Sequence, residues 1–134
     1  MFAAWAGSDW QYSGADEYLA TFEPYSILET VAVVNLGGLG RGGEELLVEG
    51  DGGLVDLLLR SAEASGVTAR ETALQWRPYQ TAFGRAPGIK VAWDLPQRIP
   101  ASGDTVETLD MTQLGRAGQT INLMLITLSR EYAY

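Results

Sequence analysis

The chain has 134 residues, of which 46 % are hydrophobic and 19 % charged, and 17 acids against 9 bases give it a net charge of −8. That length suits one domain with one core, and the composition is neither that of a disordered polyelectrolyte nor that of a membrane protein. Cysteine and histidine are absent, which removes disulfides, thiolate chemistry, Ser-His and Cys-His nucleophiles, and any zinc site not built on carboxylates alone.

The first stretch, "MFAAWAGSDWQYSG", sets Phe2, Trp5, Trp10 and Tyr12 among Ala, Gly and Ser. It has no basic n-region and no continuous apolar core, which argues against a signal peptide. No run in the chain approaches the roughly 18 to 20 apolar residues that span a bilayer. Residues 1–14 read as an extended arm, able to reach up to roughly 45 to 50 Å, and residues 15–134 as the domain. Exposed aromatics on such an arm need a partner; the alternative is an arm that lies on its own domain.

Next, "YSILETVAVVNLGG" has Ser26 and Glu29 at capping-box spacing, but the β-branched Val31, Val33 and Val34 favour a strand. "EELLVEGDGGLVDLLLRS" reads as a hairpin, two apolar runs around the turn cluster Gly50-Asp51-Gly52-Gly53. Its second half, "LVDLLLRSAEASG", also fits a helix. "TARETALQWR" places Thr68 and Glu71 at capping spacing, yet as a strand it puts Thr72, Leu74 and Trp76 on one face, and the strand is preferred.

"GIKVAWDLP" is the clearest segment: Ile89, Val91, Trp93 and Leu95 alternate with Lys90, Ala92 and Asp94 until Pro96. That period of two is a half-buried strand. "QTINLMLITLSREY" is apolar on both faces, Ile121, Leu123 and Leu125 on one and Met124, Ile126 and Leu128 on the other. It reads as a central strand, or one meeting a neighbouring subunit. Short strands between turn clusters then predict an all-β fold, a single antiparallel β-sandwich or jelly roll with an extended N-terminal arm.

Three constellations invite chemistry. "VAVVNLGGLGRGGEELL" holds G-x-G-x-x-G at Gly38, Gly40 and Gly43, similar to the dinucleotide-binding fingerprint. Only the six residues "EELLVE" follow before the next glycine cluster, too few for the helix that fingerprint needs. A loop between strands is the expected reading. Glu44, Glu45, Glu49 and Asp51 crowd one hairpin, and Asp104, Glu107 and Asp110 another region. They form no D-x-D-x-D-G loop, and solvated faces carry such residues routinely. Trp76, Tyr79 and Trp93 could stack on a sugar, but core tryptophans are commoner. No catalytic residue, cofactor or metal is therefore expected. The bases are eight scattered arginines and Lys90, without the concentrated positive footprint of a nucleic-acid binder.

The aromatic arm, "IPASGDTVETLDM" and the terminal "QTINLMLITLSREYAY" together resemble small bacteriophage virion structural proteins of the jelly-roll capsid or decoration type. The resemblance implies a place in the virion, in a shell, its decoration or a head–tail junction. The aromatic termini then predict a homo-oligomer that also contacts other virion proteins, while the acidic balance and the lack of a long apolar run predict neither nucleic acid nor membrane as partner. The expected subunit interface is Phe2, Trp5, Trp10, Tyr12, Tyr132 and Tyr134. The alternatives are a carbohydrate- or ligand-binding β-sandwich module and a nucleotide-binding enzyme using the Gly38–Gly43 loop.

Overall fold

The computed structural model describes residues 30–74, 86–94 and 105–131. In chain order the elements are β1 (Val33–Gly37), β2 (Leu46–Gly50), α1 (Gly52–Ala64), β3 (Ala69–Glu71), β4 (Gly88–Trp93), a 3-10 turn (Val106–Thr108) and α2 (Met111–Glu131). The sheet order is β1-β4-β2-β3. β1 runs parallel to β4 and β2 parallel to β3, and the two pairs meet antiparallel between β2 and β4. The fold is mixed α/β, so the antiparallel sandwich or jelly roll expected from the sequence is not the fold of this chain.

Strand β4 forms where its period of two predicts it. Its register sets Trp93, Val91 and Ile89 opposite Leu46, Val48 and Gly50 of β2, so these residues share one face. Leu46, Val48, Ile89 and Val91 are at most 1 % exposed, and Trp93 only 2 %. Gly50 is required at the end of this seam. Its φ is +145°, and a Cβ there would lie 2.2 Å from the Gly88 carbonyl oxygen. β1 forms a strand as its β-branched residues suggest, but within "TARETALQWR" only Ala69–Glu71 is strand, with Thr72 and Leu74 beyond its end and Trp76 outside the described residues.

The first correction is the hairpin. Asp51 Oδ1 accepts the backbone N–H groups of Gly53 (3.1 Å) and Leu54 (3.3 Å), so the glycine cluster opens a helix rather than turning one strand into another. Leu54, Val55, Leu57, Leu58, Ser61 and Ala62 then recur with the helical period and are all buried. The helix closes when Gly66 and Val67 donate to the carbonyls of Glu63 and Ala62. α1 is thus the crossover between β2 and the parallel β3.

The second correction is "QTINLMLITLSREY", which is helix to Glu131. Ala117, Thr120, Ile121, Met124 and Leu128 are its buried residues, spaced three, four and seven apart. All of them but Thr120 join α1 and the sheet face of β2 and β4 in one apolar cluster. Thr120 Oγ1 lies 2.7 Å from Ser65 Oγ and also donates to the Arg116 carbonyl, which satisfies the buried hydroxyl between the helices.

Truncating Leu58→Ala, at a fully buried position, should cost about 2–5 kcal/mol in urea denaturation. Asp51→Ala should cost about 1 kcal/mol and lower the helical signal at 222 nm, while Asp51→Ser restores both. An unchanged helical signal in Asp51→Ala would show that the cap does not set the start of α1.

Candidate functional site

The parallel strands β1 and β4 end on the same side of the sheet, where open α/β sheets commonly bind ligands. The Gly38–Glu45 loop lies at this end and packs on the start of α2. Asp110 N–H donates to the Gly40 carbonyl at 2.7 Å, and Gln113 Nε2 donates to the Gly43 carbonyl at 2.9 Å. From the other side, Asp94 Oδ1 accepts the Glu45 N–H at 2.9 Å, and the Asp94 N–H donates to the Glu45 carbonyl at 3.0 Å.

These contacts show what the glycines serve. A Cβ on Gly40 would come within 2.6 Å of Leu109 Cδ2, and one on Gly43 within 2.5 Å of Asp94 Oδ1 and 3.0 Å of Trp93 Cβ. The close approach that a dinucleotide fingerprint reserves for pyrophosphate is taken here by the chain's own side chains. The loop leads into strand β2 and not into a helix. At the start of α2, Asp110 Oδ1 accepts the Gln113 N–H at 3.0 Å, a negative group in the place where a helix N-terminus would attract an anion.

The acidic residues are distributed among structural tasks. Glu45 pairs with Arg70 at 2.5 Å, Asp51 caps α1 and Asp110 caps α2. Glu49 and Lys90 sit directly opposite in the β2–β4 register, 3.1 Å apart, on the sheet face away from the helices. The Leu74 N–H and the Lys90 ammonium both hold the Glu49 carboxyl below its ordinary value of 4.5. Glu44 and Glu107 are exposed. Among the described residues, no three His, Cys, Asp or Glu side chains gather as a metal site would require. Trp93 is core and not a stacking platform, and its indole N–H is buried with no acceptor among the described residues. Trp76, Tyr79 and Asp104, and the arm and tail residues Phe2, Trp5, Trp10, Tyr12, Tyr132 and Tyr134, lie outside the described residues.

What sequence reading missed is an outward surface. Seven large apolar residues are exposed among those described: Val31 and Leu36 at β1, then Val106, Leu109, Met111, Leu123 and Ile126. The last five belong to the 3-10 turn and α2 or the link between them. From Ala117 to Ser129 the helix contains no charged residue, although an exposed helix face normally carries charge. Gly115 and Gly118 cost the helix about 1 kcal/mol each relative to Ala. A Cβ at either would meet nothing within 4 Å, so packing among the described residues does not call for them. The uncharged run was the signal available in the sequence. No protein-family model matches this chain, and none of the curated proteins compared with it does.

Two outcomes test the geometry of this end. Gly43→Ala should destabilise the fold by about 1–3 kcal/mol, because the obstacles include backbone and a packed Trp93. A neutral effect in chemical denaturation would contradict the close loop packing. A carboxyl held below its ordinary value stabilises the fold when ionised, and that stabilisation is lost as pH falls through the lowered value. The unmodified chain should therefore lose stability below about pH 4.5 more steeply than Glu49→Gln. Parallel melting curves for the two proteins would argue against the ion pair.

Proposed function

We propose that this chain is an assembly protein, a structural component of a larger particle such as a virion, which works through subunit contacts and not by turnover. The observation that carries the reading is the concentration of exposed Val106, Leu109, Met111, Leu123 and Ile126 on one turn-and-helix segment. Single exposed apolar residues are ordinary on any surface. Five on one segment point to surface that a partner covers. Burying one such side chain contributes about 1.5–3 kcal/mol, so covering several outweighs the ordering of a few side chains.

The aromatic arm supplies a second contact in this reading, with Phe2, Trp5, Trp10 and Tyr12 seated on a neighbouring subunit. Each aromatic buries about 150–250 Å². The jelly-roll part of the virion resemblance falls with the fold, whereas the role in a particle does not depend on that architecture. A carbohydrate site at Trp93 has no support from a ring that is core. A nucleotide site at Gly38–Gly43 has none from a loop filled by Leu109, Gln113 and Asp94.

Light scattering across a concentration series, with thermal melting alongside, tests the reading. The full chain should have a native mass that is a multiple of one subunit. Deleting Met1–Gly14, or changing Trp5 and Trp10 to Ala, should weaken assembly at least about tenfold while the domain still melts cooperatively. A chain that stays monomeric up to about 1 mM would sink the assembly reading.

A further inference from the structure

We infer that the outer face of α2 is the contact between two copies of this chain, with the helices packed antiparallel across a two-fold axis. The inference rests on the assembly reading and names its surface and its partner. Around α2, the residues opposite the buried side are Gly115, Gln119, Asn122 and Ile126, flanked by Leu123 and Arg130. All six are exposed, Leu123 by 37 % and Ile126 by 41 %.

A second copy is the occupant because the face is self-complementary, Ile126 against Gly115 and Arg130 against Asp110 in an antiparallel pair, and charge places the contact. With a net charge of −8, two copies repel each other, and the repulsion is least where a contact carries no carboxylate. The outer face has none between Ala117 and Ser129. The hydroxyls along this stretch are also turned back on the helix, Thr127 Oγ1 to the Leu123 carbonyl and Ser129 Oγ to the Ile126 carbonyl. They lose little when water is removed.

Antiparallel pairing follows from the ends of the helix. It opposes the two helix dipoles and keeps the two Arg130 side chains apart. With the axis between Gln119 and Asn122, Ile126 of one copy lies over Gly115 of the other, where no Cβ obstructs it. Gln119 and Asn122 then face each other as hydrogen-bonding partners near the axis. Arg130 comes beside Asp110 at the start of the second copy's helix, an opposite-charge pair at each end. A 21-residue helix is about 31 Å long, enough for a contact near the 1,000 Å² that roughly bounds specific interfaces. Val106 and Met111, exposed by 78 % and 69 %, extend the apolar area at the ends.

Because the chain has no cysteine, single introduced thiols report the contact directly. In the antiparallel pair, Asn122→Cys lies about 4.5 Å along the axis from its counterpart and Ser129→Cys about 25 Å from its own. Under mild oxidation the first should give a disulfide-linked dimer and the second should not. Asp56→Cys, exposed on α1, serves as the control for random collision. Ile126→Glu and Gly115→Leu, both at positions pointing to solvent in the single chain, should weaken dimerisation at least about tenfold in analytical ultracentrifugation. Their thermal melts, taken at concentrations where the chain is monomeric, should be no lower than that of the unmodified protein. Cross-linking by both Asn122→Cys and Ser129→Cys would indicate parallel pairing and overturn the antiparallel contact. A chain that associates through Met1–Gly14 without any cross-link at Asn122 would sink this face and leave the assembly reading standing. A monomer at every concentration would sink both.

Discussion

The antiparallel seam between β2 and β4 decides where everything else in this domain can lie. Leu46 faces Trp93, Val48 faces Val91, and Gly50 sits so close to Gly88 and Ile89 that no side chain fits there. Shifting the pairing by one residue would turn Leu46 and Val48 to the opposite face and bring Glu49 into the core. The directly opposed Glu49 and Lys90 hold the same register from the other face. Both faces therefore select one alignment, by exclusion at Gly50, burial on the helix side and charge on the far side.

From that alignment the rest follows in order. β2 delivers the chain to Asp51, which caps α1 and sets its apolar side on the sheet. α1 returns the chain to β3 beside β2, a parallel pair that a tight turn could not make. β4 extends parallel to β1 and is followed by Asp94, which fixes the glycine loop through Glu45. That loop receives the start of α2 through Asp110 and Gln113. The glycines are thus a joint between the sheet and α2, a structural use of a sequence pattern that elsewhere cradles phosphate.

Strands were legible in the sequence where a single periodicity dominated. Ile89, Val91 and Trp93 alternate with residues of the far face, and β-branching marked Val33 and Val34. The helix α1 was also present in the pattern, since Leu54, Val55, Leu57, Leu58, Ser61 and Ala62 repeat with the helical period. Gly52 and Gly53 obscured it, because adjacent glycines read as a turn until Asp51 is seen as a cap. Of the candidate site, the glycine loop could be read as a connection between strands. Its contacts with Leu109, Asp110 and Gln113 could not, since they join residues about seventy positions apart.

The misreading of α2 has a more instructive cause. Ile121, Met124 and Leu128 face the core, but Leu123 and Ile126 face outward and fill the gaps between them with further apolar residues. The buried period is overwritten, and the segment reads as apolar on two sides, as a central strand does. A helix whose outer face met only water would have placed charges at those positions and been recognisable. The residues that concealed the helix are the ones that its own core does not need. Local sequence logic fails most often where a second requirement acts on the same residues. In α2 the proposed contact would be that second requirement, since among the described residues the core is filled without Leu123 and Ile126.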